Sequence, residues 1–112
     1  MAKDDYFKVA YAILSELKEA KKNGKIIDTS LISPERFGIN DSYWLDIIEW
    51  LLEKGYAKGV SIQGSKTGRI TTPIKELEIT PEGMEYLRDN STMKKIGKFA
   101  HDVKDLFPRI ML

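Results

Sequence analysis

Three features of this 112-residue sequence predict an α+β fold. Apolar residues recur at three- and four-residue spacing through the first half, the pattern switches to alternation after Tyr56, and two helix starts are led by proline, at Ser33-Pro34 and Thr80-Pro81. The length suits one domain, and a chain of this size buries about two thirds of its unfolded surface, enough for a core without staples.

Composition then removes whole classes of chemistry. With no cysteine, disulfides, thiolate metal sites and thiol nucleophiles are excluded. A single histidine, His101, leaves no His-rich metal cluster and makes a Ser–His–Asp triad a poor expectation. The net charge of +1 and a pI near 7.9 fall short of the roughly 9 typical of a strongly basic nucleic-acid binder. No run approaches the ~18 apolar residues of a membrane span. Met1-Ala2-Lys3-Asp4-Asp5 carries acid where a signal peptide needs base. A cytoplasmic domain with no cofactor, no metal and no membrane partner is expected.

The elements follow in order. In residues 4–22, Tyr6, Val9, Ala10, Ile13, Leu14, Leu17 and Ala20 share one helical face, with Asp4 and Asp5 at the positive end of the helix dipole and Lys18, Lys21 and Lys22 at the negative end. Asn23-Gly24 stops this helix. Residues 25–32 predict one brief strand. Ser33-Pro34-Glu35 starts a helix of a turn or two, cut by Gly38-Ile39-Asn40. Asn40 or Asp41 caps a longer helix to about Lys54, burying Trp44, Ile47, Ile48, Leu51, Leu52 and, at the margin, Leu45. A strand of about seven residues begins at Tyr56. A glycine-punctuated loop over Gly64 to Arg69 and a return strand at Leu77, Glu78 and Ile79 complete one long-tipped hairpin, from which Pro73 is excluded as a central position. Thr80-Pro81-Glu82-Gly83 opens a helix with Met84 and Leu87 inward and Tyr86 flanking them, and a last amphipathic helix covers about 91–107 before Pro108. Helix, short helix, tight turn, helix, two-stranded wing and C-terminal helices form the element order of a winged helix-turn-helix. Residues 1–112 are read as one such domain.

The residues carry a resemblance. Phe37-Gly38-Ile39-Asn40, Trp44 with Ile47-Ile48, Gly55-Tyr56, and Ile79-Thr80-Pro81-Glu82-Gly83 with Tyr86-Leu87 resemble winged-helix proteins generally. With the further run Asp89-Asn90-Ser91-Thr92-Met93-Lys94-Lys95, the chain from about residue 4 to 100 resembles the YjcQ family of small winged-helix proteins from bacteria and their phages. The resemblance implies that fold and a phage or prophage setting, and it carries no catalytic residue across.

Charge is regional. Residues 41–56 hold four carboxylates against Lys54, residues 57–75 four cations and no acid, residues 76–90 five acids against Arg88, and residues 91–112 five cations against two acids. A recognition helix in a major groove favours Arg, Lys, Asn and Gln. Here the exposed stripe is Ser42, Asp46, Glu49 and Glu53, which repels phosphates. It reads as a solvated face or, in the functional alternative, an acidic docking surface. Lys58, Lys66, Arg69 and Lys75 could meet phosphates as a wing does, or simply guard an exposed sheet edge. Tyr43 and Trp50 flank the acidic stripe, as a protein-binding patch would need, although packing under the wing or the C-terminal helix is the simpler account. Met93, Ile96, Gly97, Ala100, Val103 and Phe107 form a stripe suited to a homodimer or to docking on the chain's own domain.

Enzymatic readings fail on particulars. Gly59 to Thr67 nearly spells a phosphate loop, but Ser65 separates Gly64 from Lys66 and a strand follows. Asp46, Glu49 and Glu53 lie on one exposed face, a poor cation cage. His101 sits among charged neighbours, and the glycosylation spacings at Asn40 and Asn90 mean nothing without secretion. The sequence therefore predicts no enzyme. Its leading expectation is a DNA-binding regulatory module acting through Lys58, Lys66, Arg69 and Lys75, on fold analogy. The alternative is a protein-interaction module, of a phage-assembly kind, acting through Tyr43, Asp46, Glu49, Trp50 and Glu53.

Overall fold

The computed structural model describes residues 5–65 and 68–90. Helix α1 spans Asp5–Lys22, and the expected face is buried: Val9, Ala10, Ile13, Leu14 and Leu17 all lie in the core. Its last carbonyls are taken by the amides of Asn23, Gly24 and Lys25. The brief strand expected in residues 25–32 does not form. The Asp28 carboxylate accepts from the Ser30 amide at 3.0 Å and from the Ser30 hydroxyl at 2.7 Å, and these local bonds bend the chain into a single 3-10 turn, Thr29–Ile32. The same two bonds hold the exposed carboxyl below its ordinary pKa.

The next two helices start as their residues predict. Ser33 accepts from the Arg36 amide and Pro34 occupies the first turn of α2, Pro34–Phe37, which buries Phe37 completely. Asn40 accepts from the Tyr43 amide at 2.8 Å and opens α3, Asp41–Glu53. Trp44, Ile47, Ile48 and Leu51 face inward, while Leu45 and Leu52 are half-buried. The Trp44 indole donates to the Ile32 carbonyl at 2.8 Å, so its buried N–H is satisfied and the 3-10 turn is tied to α3.

The expected seven-residue strand and single hairpin are replaced by two ladders. Strand β1, Ala57–Lys58, pairs antiparallel with β4, Glu78–Ile79, in the register Ala57 to Ile79 and Lys58 to Glu78. Between them, β2, Ile62–Ser65, pairs with β3, Gly68–Thr71, over four positions from Ile62–Thr71 to Ser65–Gly68. The break comes at Gly59, whose φ of +98° is accessible to glycine and whose absent Cβ would stand 2.1 Å from the Glu76 carbonyl oxygen. Pro73 stands outside both ladders, before a second 3-10 turn, Ile74–Glu76.

Thr80 caps α4, Pro81–Asp89, accepting from the Gly83 amide at 3.0 Å and donating to the Gly55 carbonyl. Leu87 is buried, with Met84 and Tyr86 packed against the core. Helix α1 packs against α3, α4 and β4, so α1, α3 and α4 close over the β1–β4 ladder while the β2–β3 hairpin projects from it. The result is an α+β fold whose hairpin is compatible with a wing. The C-terminal helix expected at 91–107, with the stripe from Met93 to Phe107, lies outside the described residues. Among the described residues no helix is long and apolar enough to cross a membrane.

Candidate functional site

Three- and four-residue spacing along α3 sets Ser42, Asp46, Glu49 and Glu53 on one side of the helix, away from the core face. That side is not simply solvated. The β2–β3 hairpin brings Arg69 onto it, with Nη1 at 2.7 Å from both Asp46 Oδ1 and Glu49 Oε1, and Nη2 at 2.9 Å from the Ser42 carbonyl and 3.1 Å from its hydroxyl. One planar guanidinium thus spans two turns of α3, a fork geometry that lysine could not reproduce. The Arg69 side chain is only 22% exposed, against 53% for Asp46 and 38% for Glu49. The Asp46 hydrogen bond, with Glu49 behind it, raises the guanidinium's pKa above its already high ordinary value.

The structure therefore joins two sets that the sequence places apart. Arg69, assigned to phosphate, is held by Asp46 and Glu49, assigned to a protein-facing stripe. The other cations of the hairpin set are dispersed. Lys58 is exposed on β1, and Lys75 lies in the second 3-10 turn beside a groove that Arg69 does not line. Lys66 lies outside the described residues. Among the described residues, no group of three or more histidines and carboxylates is placed to hold a metal ion.

Beside the clasp lies a second arrangement that the sequence shows only in part. Trp50 is the hub of an aromatic cluster, with ring centroids of Phe7 at 5.5 Å, Tyr56 at 5.7 Å, Tyr86 at 5.9 Å and Tyr6 at 6.2 Å, all edge to face. Tyr43 joins through Tyr6 at 5.7 Å, and Tyr56 and Tyr86 stack at 4.7 Å. The Tyr6 hydroxyl donates to the Asp46 carbonyl at 3.0 Å and so links cluster and stripe. Its burial, and next the charge of Asp46, raise its pKa; burial raises that of Tyr86 as well. Five of the six rings are half-buried, and Phe7 is 43% exposed.

Tyr43 and Trp50 are the two members visible on the α3 wheel. The sequence pattern places Tyr6 on the core face of α1, gives Phe7 no role and sets Tyr86 beside the inward Met84 and Leu87. The available signal was the clustering of aromatics at the start of α1, at the residue after Gly55 and on the outer edge of α4. Each is unremarkable alone, and only the fold brings them together.

The family model of the YjcQ protein matches residues 11–106. The chain belongs to the YjcQ family. No curated protein and no solved structure matches it. In this YjcQ-family chain the match takes in α3, both ladders and α4, hence the Arg69 clasp and Tyr43, Trp50, Tyr56 and Tyr86. Tyr6 and Phe7 precede it.

Proposed function

We propose that this YjcQ-family chain is a non-enzymatic winged-helix module that binds a protein partner through the aromatic and acidic face of α3. The order of α1, α2, the tight turn at Gly38, α3 and the projecting hairpin supports the winged-helix reading. The observation that carries the function is the Trp50-centred cluster, partly open to solvent through Phe7 and bordered by Asp46, Glu49 and Glu53. Rigid aromatics with a charged rim are what a protein interface uses for its anchors. The polar groups of the face engage one another, Arg69 with two carboxylates and Tyr6 with the α3 backbone, so they support docking better than catalysis.

Exposed Phe7 and Glu53 give variants that spare the core. Full-length protein captures a partner from a host extract, and the partner, identified and purified, binds wild type in solution. Phe7→Asp and Glu53→Lys each weaken that complex by about tenfold or more, a loss of ~1.4 kcal/mol or more. Unchanged affinity in both variants removes the face from the interface.

DNA contact is the second reading, favoured by exposed Lys58 and Lys75 beside the acid-free hairpin. It has a distinct signature. With at most about four phosphate contacts, the log–log salt slope is no steeper than roughly −4, and all sequences bind alike. Lys66→Ala with Arg69→Ala weakens such binding uniformly. No detectable binding of a duplex at low salt overturns it. Strong sequence preference that survives these changes would instead make α3 the reader and overturn the protein-docking proposal. A homodimer through Met93, Ile96, Gly97, Ala100, Val103 and Phe107 is proposed alongside. Light scattering that gives a monomeric mass at tens of micromolar refutes it.

A further inference from the structure

At the far end of α1 from the aromatic face lies a groove of about 240 Å³. Its floor is apolar, made by Leu17, Ile27, Leu77 and Ile79, each buried. Its rim carries Lys21, Lys25 and Lys75 against a single acid, Glu78. Lys21 is 3.3 Å from Glu78, and Lys25 and Lys75 make no ion pair among the described residues. The volume is below the roughly 300–1,000 Å³ of pockets that enclose a cofactor or drug-sized molecule. It suits one or two side chains of something larger.

The backbone says what that is. Among the described residues, strand β4 pairs with β1 on one edge only. Across the groove, residues 25–28 run outside any strand, and among the described residues no backbone hydrogen bond joins them to residues 77–79. Two segments therefore border a gap that no strand of the described chain fills. A sheet edge left open in this way is a template for an added strand, in which main-chain bonds give affinity and alternate side chains enter pockets. Ile26, 76% exposed on the rim, extends the apolar surface beyond the floor.

We propose that this groove takes an acidic, extended peptide segment of a partner protein, added along the open edge of β4 with an aliphatic side chain seated between Ile27 and Leu77. Three lysines against one glutamate select for acid. An apolar floor and an open backbone edge select for a peptide over a nucleic-acid strand, which offers neither an alkyl side chain nor main-chain N–H groups. The site is independent of the α3 face, so either can fail without the other.

The test is an amide-resolved NMR titration of the full chain with a blocked hexapeptide of alternating glutamate and valine. Its lysine–valine counterpart and an oligothymidine serve as controls. Saturable shifts centred on the amides of residues 25–27 and 77–79 are expected, with a dissociation constant in the range of about 0.1–1 mM. Binding weakens by about tenfold or more when Lys25→Glu and Lys75→Glu are combined, the amide spectrum otherwise retaining its dispersion. Absence of shifts at millimolar peptide overturns the proposal, as does equal binding of the lysine–valine peptide. If oligothymidine moves the same amides more strongly, the groove belongs to nucleic acid and the peptide proposal falls.

Discussion

The two ladders of this protein have the same antiparallel geometry and opposite sources of cohesion. The β1–β4 ladder is two residue pairs long, and the β2–β3 hairpin has four. The shorter one is the better anchored. Ala57 and Ile79 face each other in the core, Leu77 is buried just before β4, and Thr80 beyond it locks the strand to α4. Along the longer one, Gln63, Gly64, Gly68 and Thr71 are exposed and Ile62 is half-buried. Arg69 clasps it onto α3 through its guanidinium. Ladder length does not decide which pairing persists. A net hydrogen bond is worth only about 0.5–1.5 kcal/mol, and an isolated two-stranded hairpin is marginal in water, so burial decides.

The strongest way to break that contrast is to remove burial. Ile48→Ala on α3 and Ile79→Ala on β4 each empty a fully buried site and should cost about 2–5 kcal/mol in urea denaturation, through lost transfer energy and the cavity left behind. An unchanged midpoint for Ile48→Ala would mean that the α3 face is misassigned. An unchanged midpoint for Ile79→Ala would mean that the short ladder is not held by the core.

A smaller effect is expected from adding one carbon at Gly83. Its Cβ would stand 2.2 Å from the Tyr56 carbonyl and 2.7 Å from Ile79 Cγ1, where α4 crosses the start of β1. The backbone oxygen cannot step aside, so Gly83→Ala should destabilise by about 1–3 kcal/mol and shift the amide signals of Ala57 and Ile79 first. Full stability in this variant would show that α4 can slide over the short ladder, and the two ladders would then differ less than the geometry implies.

The parts that were legible in the sequence are the parts governed by neighbours in the chain. The caps at Ser33, Asn40 and Thr80 and the core faces of α1 and α3 follow from spacing of four residues or less. Residues 25–32 misled because their apolar content suits a strand while the carboxylate of Asp28 forms a turn with Ser30 two positions on. The seven-residue strand failed because the alternation from Tyr56 to Ile62 carries no sign that Gly59 must pass the Glu76 carbonyl. Within the candidate site, Tyr43 and Trp50 share one helix and were visible. The Arg69 partners lie 20 to 27 positions away, and the rings around Trp50 come from α1, α4 and the residue before β1. Opposite regional charge marked residues 41–56 and 57–75 as distinct surfaces. The same opposition is what draws them together.

If the clasp is local, its loss should be local too. Arg69→Ala should leave the urea midpoint within error of wild type, yet accelerate hydrogen exchange at Gln63, Gly64 and Arg69's own position on the hairpin. The Ala57 and Ile79 amides should be unaffected. Asp46→Asn combined with Glu49→Gln should reproduce this pattern, since it removes the same charge from the other side. A large fall in global stability from Arg69→Ala would show that the hairpin belongs to the cooperative core.

Salt sharpens the contrast furthest with the smallest perturbation. Raising ionic strength from about 0.1 M to about 1 M shortens the Debye length from roughly 10 Å to roughly 3 Å. The Arg69 bonds to Asp46 and Glu49 are short, at 2.7 Å, and the side chain is 22% exposed, so screening should weaken the clasp without abolishing it. Burial of Ala57 and Ile79 has no charge to screen, and excluded salts strengthen it if anything. Exchange at the β2–β3 amides should therefore quicken modestly with salt in wild type, while protection at β1–β4 holds or rises. Arg69→Ala provides the control, because a hairpin already released has no clasp for salt to loosen and should show a flat response. If both ladders of the wild type respond to salt in step, the hairpin is held by packing rather than by charge, and the acidic side of α3 is covered by a fixed part of the fold.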